Sequence, residues 1–333
     1  MKLETIRMPR ASLKPSLWVG ASSFDSRCAG SLRWLGDSVQ AGSIVDYDTR
    51  VIPVTRARRR ISDNRQALRA SIANSGAVMS NRAVEPYQFV SFRRVLDEAW
   101  GASEERSVTL VVDVTTLTRI HVLAFAEWLS EHPESWSRVV VAYTPARGYG
   151  FSNDVDLVRE QYIDLVFAPI GPFSERAAAE AEGRASRCIA ILGHEGVRAR
   201  LGVSVVTCNV GMAVVVGSKE DADAVQLARQ QNATLLEDIE SGVMGDWTAM
   251  FVYQQDLMTV AIGVRSFVGK TARSDERLVI VPLGPKLVCL QSALVALDSA
   301  KSALWVSCPI PAAYAINASF GALPTVFARV TGE

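Results

Sequence analysis

Asp113, Thr115, Thr116, Thr118 and Arg119 fall within seven residues, DVTTLTR, behind a valine-rich run and ahead of an apolar helical pattern. They offer a carboxylate, three hydroxyls and a guanidinium where a strand hands over to a helix. The first N–H groups of a helix lack intrahelical partners and favour anions. A nucleotide has matching needs, a carboxylate for its ribose hydroxyls and hydroxyls, amides and a guanidinium for its phosphates. Asp113 or Thr115 could equally serve as a plain cap of the helix that follows.

A second set lies in PLGPK, residues 282–286. Gly284 permits a close backbone approach, Pro285 suits a first helical turn, and Lys286 would project from the helix start toward a phosphate or into solvent. Tyr149 and Tyr314 close two proline-containing loops, AYTPARGY and VSCPIPAAY. Their rings could stack on bases or pack internally with the hydroxyl satisfied. Arg27 and Arg198, each just beyond a Gly- or Ser-containing turn, are phosphate-ligand candidates or ordinary surface arginines. Other motifs fail. In GVRSFVGKT (263–271), five residues separate the glycines where a phosphate-binding loop needs four. His121, His132 and His194 are dispersed, so neither a zinc site nor any other cofactor is expected. His194 and Glu195 at a strand end could act as acid and base or be solvated. Ser22 and Ser23 lack the surroundings of a nucleophile elbow.

These residues fall at matching places in two halves of the chain. SLWVGASSFDSRCAGSLRWL (16–35) and SRCIAILGHEGVRARLGV (186–203) are each an apolar run, a turn and an arginine. Arg27 and Arg198 are then followed at nearly equal spacing by the apolar runs ending at Asp113 and Pro282, and further on by the tyrosine loops. Matched landmarks in matched order argue for two diverged copies of one unit. Strand-like runs at 17–21, 42–47, 108–112, 138–143, 188–192, 210–216, 250–253, 278–281 and 303–308 alternate with helical patterns at 62–75, 87–100, 118–131, 219–232 and 287–299. The segment 203–217 could hold two short strands. The strands are too apolar to expose a face, which implies parallel sheets covered on both sides. The expected fold is therefore α/β, two tandem Rossmann-like units made by internal duplication, with mainly parallel sheets. The first unit would span 1–150, a connector 151–187, and the second unit 188–333.

DVTTLTR resembles the loop motif of CARF domains, the CRISPR-associated Rossmann fold. That motif is Asp or Asn, any residue, Ser or Thr, three residues, then Lys or Arg, and Asp113, Thr115 and Arg119 occupy its three specified places. The two-unit plan is similar to that of SAVED domains, which fuse two CARF-like units. The resemblance implies a binder of cyclic oligonucleotide second messengers in prokaryotic antiviral defence. The second copy departs from the motif, keeping Lys286 but neither the carboxylate nor the hydroxyl, so a shared site would have unequal halves.

The 333 residues carry no formal net charge and are 49% hydrophobic, the profile of a packed globular protein with no bulk attraction to nucleic acid or membrane. Charge is nevertheless segregated. Residues 50–94 hold ten arginines against Asp63 and Glu85, a net of +8, and residues 217–256 hold eight carboxylates against Lys219 and Arg229, a net of −6. The two could meet within the fold or face partners. The run Arg56 to Arg60 could track a phosphate backbone, but no aromatic interleaving accompanies it, and a basic loop facing solvent or a partner is favoured. Five scattered cysteines without paired spacing suit a reducing compartment, and no apolar stretch reaches a membrane span. A cytoplasmic protein is expected. The leading expectation is a sensor that binds a nucleotide or cyclic oligonucleotide between its two units and signals to a partner carrying the effector activity. The alternatives are a non-catalytic assembly subunit of a defence complex, with the charged segments as docking surfaces, and a nucleotide- or nucleoside-processing enzyme using Asp113 or Glu195.

Overall fold

The computed structural model describes residues 1–7, 13, 15–23, 25–47, 55–74, 76–147, 162–171, 186–206, 208–218, 222–269, 277–299, 304–311 and 322–332. The chain forms two units: Leu3–Asn153 with Ala313–Gly332, and Asp154–Ala312 with Met1–Lys2 and Glu333.

The first unit contains strands β1 (Lys2–Ile6), β2 (Ser16–Ala21), β3 (Val39–Tyr47), β4 (Val78–Val84), β5 (Thr109–Asp113) and β6 (Val139–Tyr143), with helices α1 (Gly30–Leu35), α2 (Thr55–Asn74), α3 (Phe89–Arg106) and α4 (Arg119–Glu131). The second contains β7 (Tyr162–Ile170), β8 (Ser186–Leu192), β9 (Cys208–Gly217), β10 (Asp246–Tyr253), β11 (Arg277–Pro282) and β12 (Leu304–Pro311). Its helices are α5 (Gly196–Ser204), α6 (Ala222–Gln231), α7 (Ala233–Glu240), α8 (Leu257–Gly269) and α9 (Lys286–Ser299). The last strand, β13 (Val326–Thr331), joins the first sheet.

The sheet orders are β1-β13-β6-β5-β2-β3-β4 and β10-β9-β8-β11-β12-β7. In each, the unit's first parallel strand lies at the centre, the second and third run to one side, and the fourth and fifth to the other. The four pairings among those five strands are parallel in both units. This doubly wound plan reverses direction between β2 and β5, and between β8 and β11. Crevices for ligands form at such switch points, outside the carboxyl ends of the strands. The fifth strand of each unit then pairs with an antiparallel neighbour, β13 beside β6 and β7 beside β12. The strand that follows β6 in the chain thus completes the second sheet, and the strand that follows β12 completes the first.

The burial pattern explains why the central strands read as unbroken apolar runs. Every residue of β2 and of β8 is buried, as a strand covered by helices on both faces requires. α4 is buried continuously from Ile120 to Leu129 and α9 from Leu287 to Ala296. α3 instead buries one stripe, Phe92, Val95, Leu96, Ala99 and Trp100, the spacing of an amphipathic surface helix.

The two-copy α/β plan expected from the sequence is the observed one. Three details differ. The basic run does not lie in a loop, because α2 begins at Thr55 and carries Arg58 to Arg60 on its first turns. The proposed connector holds β7, whose alternation is masked by Pro169, and residues Ala313–Gly332 return to the first unit. The region 203–217 ends α5 and then forms the single strand β9. The glycine-bearing segment from Gly263 to Gly269 is part of helix α8, which by itself rules out a phosphate loop there.

Two glycines test the packing in opposite directions. A Cβ on Gly196, at the start of α5, would overlap the carbonyl of Gln231, whereas one on Gly101 in α3 would meet nothing within 4 Å. Gly196→Ala should lower unfolding free energy by about 1–3 kcal/mol, and Gly101→Ala should raise it by about 0.5–1 kcal/mol. Urea unfolding of both variants measures this, and equal shifts would contradict the packing described.

Candidate functional site

Asp113 is the last residue of β5 and stands beside Gly20 of β2, at the switch point of the first sheet. Its side chain is 2% exposed. One carboxylate oxygen accepts the Thr115 N–H at 2.9 Å, a turn local to the loop. The other accepts the Ser31 hydroxyl at the start of α1, and Ser31 Oγ in turn accepts the Trp18 indole N–H at 2.9 Å. Thr115 Oγ1 accepts the Thr144 N–H at 2.8 Å just beyond β6, and the Thr116 hydroxyl donates to the carbonyl of Ala21, the last residue of β2, at 2.8 Å. Thr118 caps α4, its hydroxyl oxygen accepting the His121 N–H at 3.2 Å. Most of the loop's polar capacity therefore ties the ends of β2, β5 and β6 together. What it leaves half-buried at the crest is Thr118 and Arg119, the latter opening α4.

Several neighbours on the same crest come together only in the fold. Ser22 Oγ donates to Asp46 at 2.8 Å, Arg65 of α2 pairs with Asp46, and Asn64 Nδ2 donates to the Ser23 carbonyl at 2.7 Å. Tyr47, His121 and Glu85 form a second chain. Thr118 N–H donates to Tyr47 Oη at 3.0 Å, and Tyr47 lies 3.1 Å from His121 Nδ1. His121 Nε2 lies 3.0 Å from the Glu85 carbonyl, which can only accept, so Nε2 carries the proton and Nδ1 accepts from the tyrosine. The imidazole stacks between Tyr47 and Phe92. Burial pushes its pKa down to about 4, holding it neutral.

In the second unit the switch point is closed by backbone. A Cβ on Gly193 would lie 3.1 Å from the Leu283 carbonyl and 3.2 Å from Gly284 Cα. Leu283 N–H donates to the Ile191 carbonyl at 2.9 Å. Gly284 is buried against Ile191, Pro285 precedes α9, and Lys286 is its first residue, half-buried. The sequence also missed Asn232, 2% exposed, which donates to the Gly193 and Ala228 carbonyls at 2.8 and 2.7 Å and fixes the turn after β8.

The echoed arginines have equivalent surroundings. Arg27 makes a forked pair with Asp25 and donates to the Thr144 carbonyl at 3.2 Å, just past β6. Arg198 pairs with Glu195 and donates to the Pro309 carbonyl at 2.6 Å on β12. Each is 8% exposed and clamps the segment after its unit's first parallel strand to the end of its fifth. Tyr149 and Tyr314 lie outside the described residues, as does the side chain of Arg56. Among the described residues, no group of three His, Cys, Asp or Glu side chains is placed to hold a metal, and no helix is long and apolar enough to cross a membrane.

The fold thus defines a chain of two Rossmann-like units. Both switch points are built from strand-end loops, one of polar side chains and one of glycine backbone. Arg119 and Lys286 open equivalent helices, since α4 follows β5 as α9 follows β11. No protein-family model matches the chain, and no curated protein matches it. Among solved structures it is similar to a Type III CRISPR defence DNA nuclease activated by cyclic oligoadenylate. The TM-score is 0.51 at 9% identity, over 87% of this chain and 65% of that one. It is also similar to Can2 from Sulfobacillus thermosulfidooxidans in complex with cyclic tetra-adenylate (cA4). There the TM-score is 0.27 at 16% identity, over 39% of this chain and 32% of that one. The chain therefore spans less than two thirds of the length of either protein. The likeness to the nuclease is one of fold.

Two outcomes follow from the hydrogen bonding. Asp113→Ala strands the buried Ser31 hydroxyl and Thr115 N–H, and should cost about 2–4 kcal/mol of stability; a loss below about 0.5 kcal/mol in urea unfolding would rule out this tie. For His121, the unfolded chain takes up a proton near the ordinary value of 6.5 while the folded chain resists until about 4. Its contribution is then complete above pH 6.5 and is lost as pH falls toward 4, by about 3 kcal/mol. The stability difference between wild type and His121→Gln should shrink by that amount from pH 7 to 4, and a difference independent of pH would refute it.

Proposed function

We propose that this protein is a nucleotide sensor of prokaryotic antiviral defence, taking a nucleotide or cyclic oligonucleotide at the switch-point crests of its two units and passing the signal to a protein partner. The observation that carries this reading is the position of DVTTLTR. The loop stands at the topological switch point of a doubly wound sheet, where such folds take ligands, and Lys286 opens the equivalent helix of the second unit. The likeness of fold to a nuclease activated by cyclic oligoadenylate supports the choice of ligand class.

In this reading the side chains divide their work. Asp113, Thr115 and Thr116 hold the strand ends in place, and Gly284 brings the second turn close to β8. Thr118, Arg119 and Lys286 meet the phosphates, with the two helix starts adding N–H groups. Tyr149 and Tyr314 are proposed to stack on bases. Arg27 and Arg198 contribute by fixing the first loop of each unit. The reading is one of binding. Both Asp113 oxygens already accept hydrogen bonds, and Glu195 is paired with Arg198, so neither is poised to take a proton from substrate.

Isothermal titration of the full chain against cyclic oligoadenylates, linear oligoadenylates and mononucleotides tests the proposal. Wild type should bind one class, and Arg119→Ala and Lys286→Ala, which leave the Asp113 network intact, should each weaken binding at least about tenfold through loss of a charge-assisted contact. Absence of binding across the panel, or affinity unchanged in both variants, would reject it. Recovery of a cleaved rather than intact ligand would favour the enzyme reading instead.

A further inference from the structure

β4 and β10 are the terminal strands of their sheets, and each is hydrogen bonded to one described neighbour, β3 and β9 respectively. They occupy equivalent places, the third parallel strand of each unit. An uncovered terminal strand presents a row of unpaired N–H and C=O groups and is a template for pairing with another chain unless it is blunted. Neither edge is blunted by proline, and both carry exposed apolar side chains. Val78 (67% exposed) and Met79 lie on β4, and Val90 on the first turn of α3. Phe251 and Tyr253 lie on β10, Val243 just before it, and Met258 and Ile262 (63%) on α8, the helix packed against it. These are eight of the eleven large hydrophobic side chains exposed among the described residues. Elsewhere the surface is largely free of them, so their concentration at two sheet edges calls for a partner.

The two edges also differ in sign. The β4 edge belongs to the segment of net charge +8, with exposed Arg58 and Arg69 on one face of α2, eleven residues and about three turns apart. The β10 edge belongs to the segment of net charge −6, with Glu237 and Glu240 exposed on α7 and Asp246 opening β10. Some of these charges have partners of their own. Arg82 of β4 pairs with Glu98, Arg200 with Asp238, and Arg229 lies on the Phe251 ring at 4.0 Å. Arg65 pairs with Asp46, and Arg93 with Glu127 and Glu131. The exposed charges Arg58 and Arg69 on one side and Glu237, Glu240 and Asp246 on the other still differ in sign.

We propose that the β4 edge of one copy of this chain docks on the β10 edge of a second copy. The occupant follows from complementarity. A surface that is apolar, edge-exposed and basic is matched by one of the same kind and opposite charge on the same chain, whereas either edge meeting its own copy sets like charges together. The contact joins two different patches, so it is heterologous and repeats head to tail, into a closed ring or an open chain. It is independent of the nucleotide reading, and its test uses protein without ligand.

Sedimentation velocity of the full chain measures it. Wild type should associate with rising concentration, and association should weaken at least tenfold between about 0.1 M and about 1 M salt, as the screening length falls from ~10 Å to ~3 Å. The pair Arg58→Glu, Arg69→Glu reverses the charge on that face of α2 and halves the basic excess of its segment, and the pair Glu237→Lys, Glu240→Lys does the converse on α7. Each double variant alone should associate at least tenfold more weakly than wild type. An equimolar mixture should recover association beyond the dimer, because the reversed α2 and α7 faces are again opposite in sign and the unaltered edges still match. These positions are exposed, and circular dichroism verifies the fold of each variant. Three results would overturn the proposal: wild type monomeric at tens of micromolar in low salt, a mixture that fails to reassemble, or one double variant that dimerises as wild type does while the other does not. The last result would mean that an edge pairs with its own copy.

Discussion

The DVTTLTR loop of the first crest is organised by one buried carboxylate. Asp113 is expensive to remove from water, and the protein compensates by giving its two oxygens an N–H and a hydroxyl. Those partners are the loop before α4 and the start of α1, so satisfying the charge also positions both. Thr115 and Thr116 extend the same logic to the ends of β6 and β2. The loop that could receive a ligand is thereby held from several sides before any ligand arrives, which lowers the ordering cost of binding.

The second unit reaches the same closure by other means. Where the first has Asp113 at the end of its fourth parallel strand, the second has Pro282, and the turns are brought together by Gly193 against Leu283 and Gly284. What both copies retain is the arginine clamp from the first loop to the fifth strand. The duplication therefore preserved the architecture and its tie points while the crest chemistry diverged. The return of β13 adds a topological constraint. The six strands of the second sheet lie in one continuous stretch of chain, whereas the first sheet takes β13 from beyond it, so the first unit is discontinuous in sequence.

Much of the plan was legible in the residues. Unbroken apolar runs such as LWVGA and CIAIL could be read as central strands, because a strand covered on both faces needs no polar alternation. The helical pattern at 62–75 starts too late, because the arginines before it suit a helix as well as a loop and only the packing of Ile61, Leu68 and Ile72 decides the extent of α2. β4 escaped notice for a related reason. This edge strand carries half-buried Ser80 and exposed Asn81 and Arg82 and lacks the unbroken apolar run of the centre.

The sequence by itself determined the class of fold, the repeat and the strand-to-helix position of Asp113, Thr115, Arg119 and Lys286, because these follow from local periodicity and spacing. Only the tertiary structure decided which of those groups face inward. Ser31, Trp18 and Thr144 are far from Asp113 in sequence, and their hydrogen bonds turn most of the motif into a brace and leave Thr118 and Arg119 at the crest. The same holds for Tyr47, His121 and Glu85, which meet through strand order alone. Contacts between distant segments depend on how the sheet is wound, and no local pattern of residue types encodes them.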